Sequence, residues 1–421
     1  MTDLPGREND PNENPFAMFG NPEQIASAMR QFADMLSAAP SSGPVNWDMA
    51  KNIARHAVVA EGGDPSVMEG ERRQIADALN LADLWLNEAT TLPSGVSAPQ
   101  AWSRSEWIEK TTPVWQQLCD PVAAKMVETM GGTLGASGLP AEAQAMAGPL
   151  MGMLKQMGGM MVGQQIGQAL GTLAREVIGS TDIGLPLSDT AALLPGGIAA
   201  FSEGLEIPAE EIRIYLALRE AAHHRLFQHV PWLRSHLLGA VEEYARGINV
   251  DISALEEKLR GVDVNNPEKL QELLTGGDLL KPEETERQKA ALARLETALA
   301  LVEGWVATVV DAAAAGKLPS ASALAETVRR RRATGGPAEL TFATLVGLEL
   351  RPRRLREAAT LWRLLGEERG VDGRDAIWSH PDLMPEAADL DDPTGFVRER
   401  DDFDLSQLDE KPDDKPDGAP E

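Results

Sequence analysis

Four glycines, Gly159, Gly163, Gly167 and Gly171, recur at every fourth residue. On an α-helix each step of four turns the position by about 40°, so the glycines line one nearly continuous groove without side chains. Another backbone can approach such a groove closely, which demands a packed partner. That partner is a second helix of the same chain, or a second copy in a homo-oligomer joined through the same face. Eight methionines between Met126 and Met161 lie around the repeat. Composition argues against a membrane span, because Gln156, Gln164, Gln165 and Gln168 interrupt residues 156–174 and Lys155 precedes them.

The remaining pattern is also helical. Apolar periodicity with Pro, Ser or Asp starts and Gly stops predicts helices at about 22–37, 46–59, 64–89, 208–229, 231–247, 267–274, 282–315, 320–332 and 338–366. In the third of these, Ile75, Leu79, Leu81 and Leu84 form the expected inward stripe. Trp102, Trp107 and Trp115 are expected core fillers. Ile183-Gly184-Leu185-Pro186-Leu187 reads as a short extended segment and a candidate strand. The fold class is therefore predominantly α, with a glycine-repeat helix and at most a few short strands.

Charge divides the chain. The 421 residues hold 39 Lys plus Arg against 65 Asp plus Glu, a formal net of −26. So acidic a surface repels phosphate backbones, and no nucleic-acid partner is expected. Residues 381–421 carry 15 acidic residues and four basic ones, and read as an acidic disordered tail. Residues 1–22 read as a disordered arm and 23–44 as a short helix and linker, leaving one helical domain over 45–380. The single cysteine, Cys119, leaves no thiolate cluster for a metal. The N-terminus has no cationic segment followed by an apolar run, so a cytoplasmic location is expected.

The strongest chemical signal is Arg219-Glu220-Ala221-Ala222-His223-His224. Glu220, His223 and His224 span about 100° of one helix face and are expected to converge on one point. Leu216 and Phe227 share that face, so it faces inward, and a buried carboxylate with two imidazoles must bind a metal or satisfy one another. The nearest motif is H-E-x-x-H, where two histidines one turn apart hold zinc and the glutamate activates water. Arg219 stands where the first histidine would be, and a guanidinium cannot coordinate zinc. In the other register Glu220 and His224 become ligands and Ala221 leaves no base.

Residues from about 120 to 365 resemble an actinobacterial zincin-like metallopeptidase family, labelled zinc-dependent metalloprotease or hydrolase and linked in part by name to coenzyme F420 biosynthesis. The matching strings are the glycine-repeat helix, Gly179-Ser180-Thr181-Asp182-Ile183-Gly184-Leu185-Pro186, Arg219 to Phe227, His229-Val230-Pro231-Trp232-Leu233 and Leu301-Val302-Glu303-Gly304-Trp305-Val306. The resemblance implies a zincin-like helical domain, a zinc cofactor and a peptide or protein substrate. It makes Glu220 the water-activating base, and His223 and Glu303 metal ligands; the second register of the motif keeps His224 as a further candidate. Because Arg219 departs from the pattern, the alternative is an inactive zincin-like scaffold or interaction module. There Arg219, Glu220 and Glu303 would form a buried salt-bridge network in place of the metal.

A second constellation is basic. Arg329 to Arg332 with Arg351, Arg353, Arg354, Arg356 and Arg363 face only Glu339, Glu349 and Glu357 within residues 329–363. With no interleaved aromatics, the preferred reading is balance by acidic groups of the same chain, tail included.

Overall fold

Most of the chain is helical because its apolar residues recur with the helical period. A computed structural model describes residues 43–60, 62–135, 141–246, 285–333 and 354–399. Among these there are eleven α-helices and two short strands. In chain order they are α1 (Trp47–Ala60), α2 (Glu69–Leu86), β1 (Gln100–Ala101), α3 (Arg104–Gly135), α4 (Ala141–Glu176) and β2 (Ala192–Leu193). Then follow α5 (Pro195–Ser202), α6 (Ala209–His229), α7 (Pro231–Arg246), α8 (Glu286–Ala314), α9 (Ala321–Ala333), α10 (Leu355–Ala376) and α11 (Pro393–Glu399). The expected helices at 22–37 and 267–274, the arm 1–22, Arg351, Arg353 and residues 400–421 lie outside the described residues.

The glycine groove of α4 is filled from within. A Cβ at Gly163 would lie 2.8 Å from the Asn46 carbonyl oxygen, and one at Gly167 would lie 2.6 Å from that of Ala50. The Asn46 amide donates to the Gly159 carbonyl at 3.2 Å. Helix α1 thus lies in the groove, burying Ala50, Ala54 and Val58. A homo-oligomer through the same face would have to displace it.

Helix α8 is the central element, packed against α2, α6, α7, α9 and α10. Its start is set by a capping box. Thr285 Oγ1 accepts from the Gln288 amide at 3.2 Å, and Gln288 Oε1 accepts from the Thr285 amide at 2.9 Å. By length and hydropathy α8 could cross a membrane, but most of its apolar window is buried in this core. Gly304 lets α10 cross closely, since a Cβ there would lie 2.7 Å from Ala358. That crossing brings Trp305, Trp362 and Trp378 into one cluster, with the Trp362 and Trp378 ring centroids 5.1 Å apart.

Three expectations need correction. In α2, Ile75 and Leu79 are buried, but Leu84 is 62% exposed and Leu81 lies at the surface; Ala78, Ala82 and Leu86 complete the inward stripe. The helical period passes through those alanines, and weighting by side-chain size obscured them. Residues 183–187 are not a strand. Gly184 turns there at φ 77°, and its amide donates to the Thr181 carbonyl at 2.8 Å. The strands are β1 and β2, parallel, with Gln100 opposite Ala192 and Ala101 opposite Leu193. Finally, residues 381–399 belong to the folded unit: Leu390, Phe396 and Val397 are buried, and Arg369 donates to the Val397 carbonyl at 2.7 Å. Three apolar side chains anchor a stretch whose average composition reads as a tail.

Gly167→Ala tests the α1–α4 crossing. Helix propensity alone would favour alanine by about 1 kcal/mol, yet a Cβ there meets main-chain atoms of α1. A net loss of about 1–3 kcal/mol is expected in denaturant titration. An unchanged or raised stability would refute the close crossing.

Candidate functional site

Helix α6 is buried on every side from Tyr215 to Leu226, yet Arg219, Glu220, His223, His224 and Arg225 all lie in that stretch. Each ionisable group there needs a partner, because unpaired burial costs several kcal/mol. Successive residues on a helix point about 100° apart. Arg219 and His223 therefore share one stripe, Glu220 and His224 the next, and Arg225 a third. The partners come from three different parts of the fold.

The first stripe meets α8 and α9. Arg219 Nη2 donates to Glu303 Oε2 at 2.7 Å, and Arg332 Nη2 lies 2.7 Å from Glu303 Oε1. His223 Nε2 lies 3.0 Å from the same Oε1, while its Nδ1 donates to the Arg219 carbonyl at 2.8 Å. Burial alone would raise the Glu303 pKa, but Arg332, His223 and Arg219 hold it well below the usual carboxylate range. Burial pulls the Arg219 pKa down, and Glu303 more than restores it. Arg332 is instead held below its ordinary value, by burial and by the nearby Arg219.

The second stripe meets the segment running from Gly179 to Ala192. Glu220 Oε1 accepts from the Ser180 amide at 3.0 Å, the Ser180 hydroxyl at 2.5 Å and the Ala192 amide at 3.2 Å. Glu220 Oε2 accepts from the Thr181 hydroxyl at 2.7 Å and the Thr181 amide at 3.3 Å. His224 Nε2 lies 2.9 Å from Ser180 Oγ and 3.3 Å from Glu220 Oε1. Burial pushes the Glu220 carboxyl up, but hydrogen bonds from His224, Ser180 and Thr181 bring it down to about 2. Gly179 makes the approach possible, since a Cβ there would lie 2.5 Å from Glu220 Oε2. Ser180 and His224 form no accessible nucleophile, because both are buried.

The third stripe clamps α2 and the loop after it. Arg225 Nε donates to Asp83 Oδ1 at 2.8 Å, Nη1 to the Leu92 carbonyl at 2.8 Å and Nη2 to Asn87 Oδ1 at 2.6 Å.

Glu220, His223 and His224 therefore do not converge on one point. The structure brings His223 to Glu303, and it joins Arg219 to that pair; Glu220 and His224 stand in a separate cluster. The rotation between positions 220 and 223 suffices to send them to different elements. His229 and His236 lie away from both clusters. His229 Nε2 lies 3.0 Å from the Ser94 carbonyl oxygen, and His236 packs edge-on against Trp232. Among the described residues no group of three or more His, Cys, Asp or Glu side chains is arranged to hold a metal ion. Sequence reasoning gave no role to Ser180, Thr181 or Asp83, and placed Arg332 only in a basic run. No spacing rule connects them to α6.

Apart from Arg356, the described part of that basic run is paired within the chain. Arg331 meets Asp182 at 3.1 Å, Arg330 meets Glu326 at 2.8 Å, Arg363 meets Glu367 at 2.6 Å, and Arg354 meets Asp391.

The chain matches the zincin-like metallopeptidase family across residues 45–397. A crystal structure of a proposed hydrolase with a novel fold, from Chloroflexus aurantiacus, aligns with a TM-score of 0.60 at 20% identity. It covers 85% of this chain and 99% of that one. At that identity the likeness is one of fold. No curated protein matches.

Acid titration tests the Glu220 cluster. A carboxylate whose folded pKa is depressed stabilises the fold above its unfolded pKa and loses that contribution as pH falls through the folded value. Stability should therefore decline between the ordinary value of 4.5 and about 2. Glu220→Gln should cost about 1–3 kcal/mol at pH 7 and flatten that decline. An unaltered acid limb in the variant would refute the assignment.

Proposed function

The chain belongs to the zincin-like metallopeptidase family, and from that premise we infer that it is a metalloprotease-like scaffold whose centre works without zinc. A guanidinium–carboxylate network takes the place of the metal, and the cleft serves to bind a peptide or similar ligand rather than to cleave it. The observation that carries this reading is that both oxygens of Glu303 are engaged by guanidinium groups, Oε2 by Arg219 and Oε1 by Arg332.

Zinc needs three or four protein donors, with oxygen or nitrogen at about 2.0–2.2 Å. The residues here supply His223 and Glu303, and Arg219 stands where a third donor would be. A dication at Glu303 would also face two permanent positive charges. At about 4 Å and an effective dielectric of about 20, each repels it by several kcal/mol. The donor set does not fit the metal. The chemistry of the glutamate points the same way. A general base works best when its pKa lies near the operating pH and it can reach the proton it abstracts. Glu220 titrates at about 2, and both its oxygens are already engaged by donors.

A second reading is the zinc-dependent hydrolase itself, using Arg219-Glu220-Ala221-Ala222-His223 with Glu303. It is favoured by one contact: His223 Nε2 lies 3.0 Å from Glu303 Oε1, the adjacency that two ligands of one metal would have. It requires both guanidiniums to withdraw and Glu220 to release its donors.

Metal analysis separates the two. Protein dialysed against zinc and then against metal-free buffer is expected to retain far less than one zinc per chain, with a Tm insensitive to EDTA. Glu303→Ala should cost about 3–5 kcal/mol, because it strands the buried guanidinium of Arg219 and the partly buried one of Arg332. One tightly held zinc per chain, lost in His223→Ala, would establish the hydrolase instead.

A further inference from the structure

The salt-bridge floor opens into a cleft of about 720 Å³ between α8, α9 and α10. The buried Arg219 and Glu303 and the partly buried Arg332 line one end of it. Along α8 the lining runs from Glu303 through Ala307 and Thr308 to Asp311 and Ala312, a length of about 13 Å at 1.5 Å per residue. Val328, Leu355 and Ala359 make the other walls partly apolar, and Arg329, Arg356 and Arg363 stand among them. The volume suits a small organic ligand.

Charge accounting at the floor points to the sign of that ligand. Arg219 and Arg332 share one carboxylate, Glu303; across the whole lining Arg219, Arg329, Arg332 and Arg356 face Glu303, Asp311 and Glu326, with Arg363 paired to Glu367, so one positive charge is left over even with His223 uncounted. The neighbouring Asp182 carboxylate bonds Arg331, and it is the Asp182 carbonyl oxygen that accepts from Arg332, at 2.7 Å. Two guanidiniums carry ten N–H donors, far more than the two oxygens of one carboxylate accept. Among the described residues Arg356, on the cleft wall, has no ion-pair partner either. An excess cation partly withdrawn from water in an open cleft is compensated by an anion that enters it. The wall acids Asp311 and Glu326 disfavour a dianion, and one surplus charge matches a monoanion.

We propose that this cleft binds a monocarboxylate with a short aliphatic chain, its head at the Arg219–Arg332 floor and its chain between α8 and α10. The inference rests on the zinc-free reading of the centre. The free C-terminus of a peptide and a small organic acid share this chemistry.

Calorimetric titration of the full chain, EDTA-treated and dialysed, tests it with four probes: hexanoate, N-acetyl-trialanine, the C-terminal amide of that peptide, and inorganic phosphate. At least one of the two acids should bind saturably, the amide should not, and phosphate should bind more weakly. Binding of the peptide acid alone would assign a peptide C-terminus, and binding of hexanoate alone a small organic acid; either supports the site. Arg332→Gln removes the surplus charge and should weaken binding about tenfold or more, the effect of one charge-assisted hydrogen bond. Ala359→Phe leaves every charge in place and should block the cleft, so the test survives if Arg332→Gln fails to fold. Equal binding of acid and amide, tighter binding of phosphate, or unchanged affinity in Ala359→Phe would overturn the proposal. If neither acid binds and the protein is also zinc-free, this inference falls and the zinc-free reading stands. Acid binding that appears only on adding zinc would overturn both.

Discussion

A carboxylate removed from water must recover its lost hydration from fixed donors, and Glu303 does so with three basic side chains from two other helices. Arg219 and His223 reach it from α6 and Arg332 from α9, while Glu303 itself projects from the central α8. Removing Glu303 would leave both guanidiniums without their carboxylate, so the three helices are tied together more strictly than apolar packing would require. The same logic repeats around α6. Glu220 and His224 bind the segment from Gly179 to Ala192, and Arg225 binds α2 with the loop that follows. One stretch of helix, buried on all sides and carrying Arg219, Glu220, His223, His224 and Arg225, thereby orients most of the elements that surround it.

These contacts depend on close backbone approach. Gly179 admits the Glu220 carboxylate, and Gly184 turns beside Glu303, where a Cβ would lie 3.2 Å from Oε1. Gly95 lets the loop after α2 touch the main chain of α6, with a Cβ there only 2.5 Å from the His224 carbonyl carbon. Net stabilisation by such networks over a purely apolar core is not assured. What they do supply is specificity, since an alternative packing of α6 would leave charges unpaired. In this protein the position that a zinc ligand would occupy carries a guanidinium instead, and that guanidinium pairs with Glu303.

Much of the fold was legible. The helices at 47–60, 69–86, 209–229, 231–246, 286–314 and 321–333 follow from apolar period and end signals, and the glycine stripe announced a close helix crossing. The site was legible in its residue types: Arg219, His223 and Glu303 meet, and Arg219 is the position where the metal pattern fails. Its grouping was not. Glu220 and His224 fall into a second cluster because Ser180 and Thr181 are waiting there, and nothing in their spacing from α6 announces it. Arg332 was visible only as one of a run of four arginines. Its neighbours Arg329 and Arg330 pair at the surface with Glu326, while Arg332 turns inward to Glu303.

The sequence by itself determined that this chain is helical, that α6 must bury its charged residues, and that a guanidinium stands at the first-ligand position of a zinc motif. These are properties of period, composition and chemical identity, and they hold wherever the helix is placed. Tertiary structure alone decided which carboxylate each cation meets, that α1 fills the glycine groove, and that the network floors an arginine-walled cleft. A helix fixes the direction of each side chain to within its 100° step. What lies in that direction depends on segments 40 to 140 residues away, brought there by the packing of the whole domain.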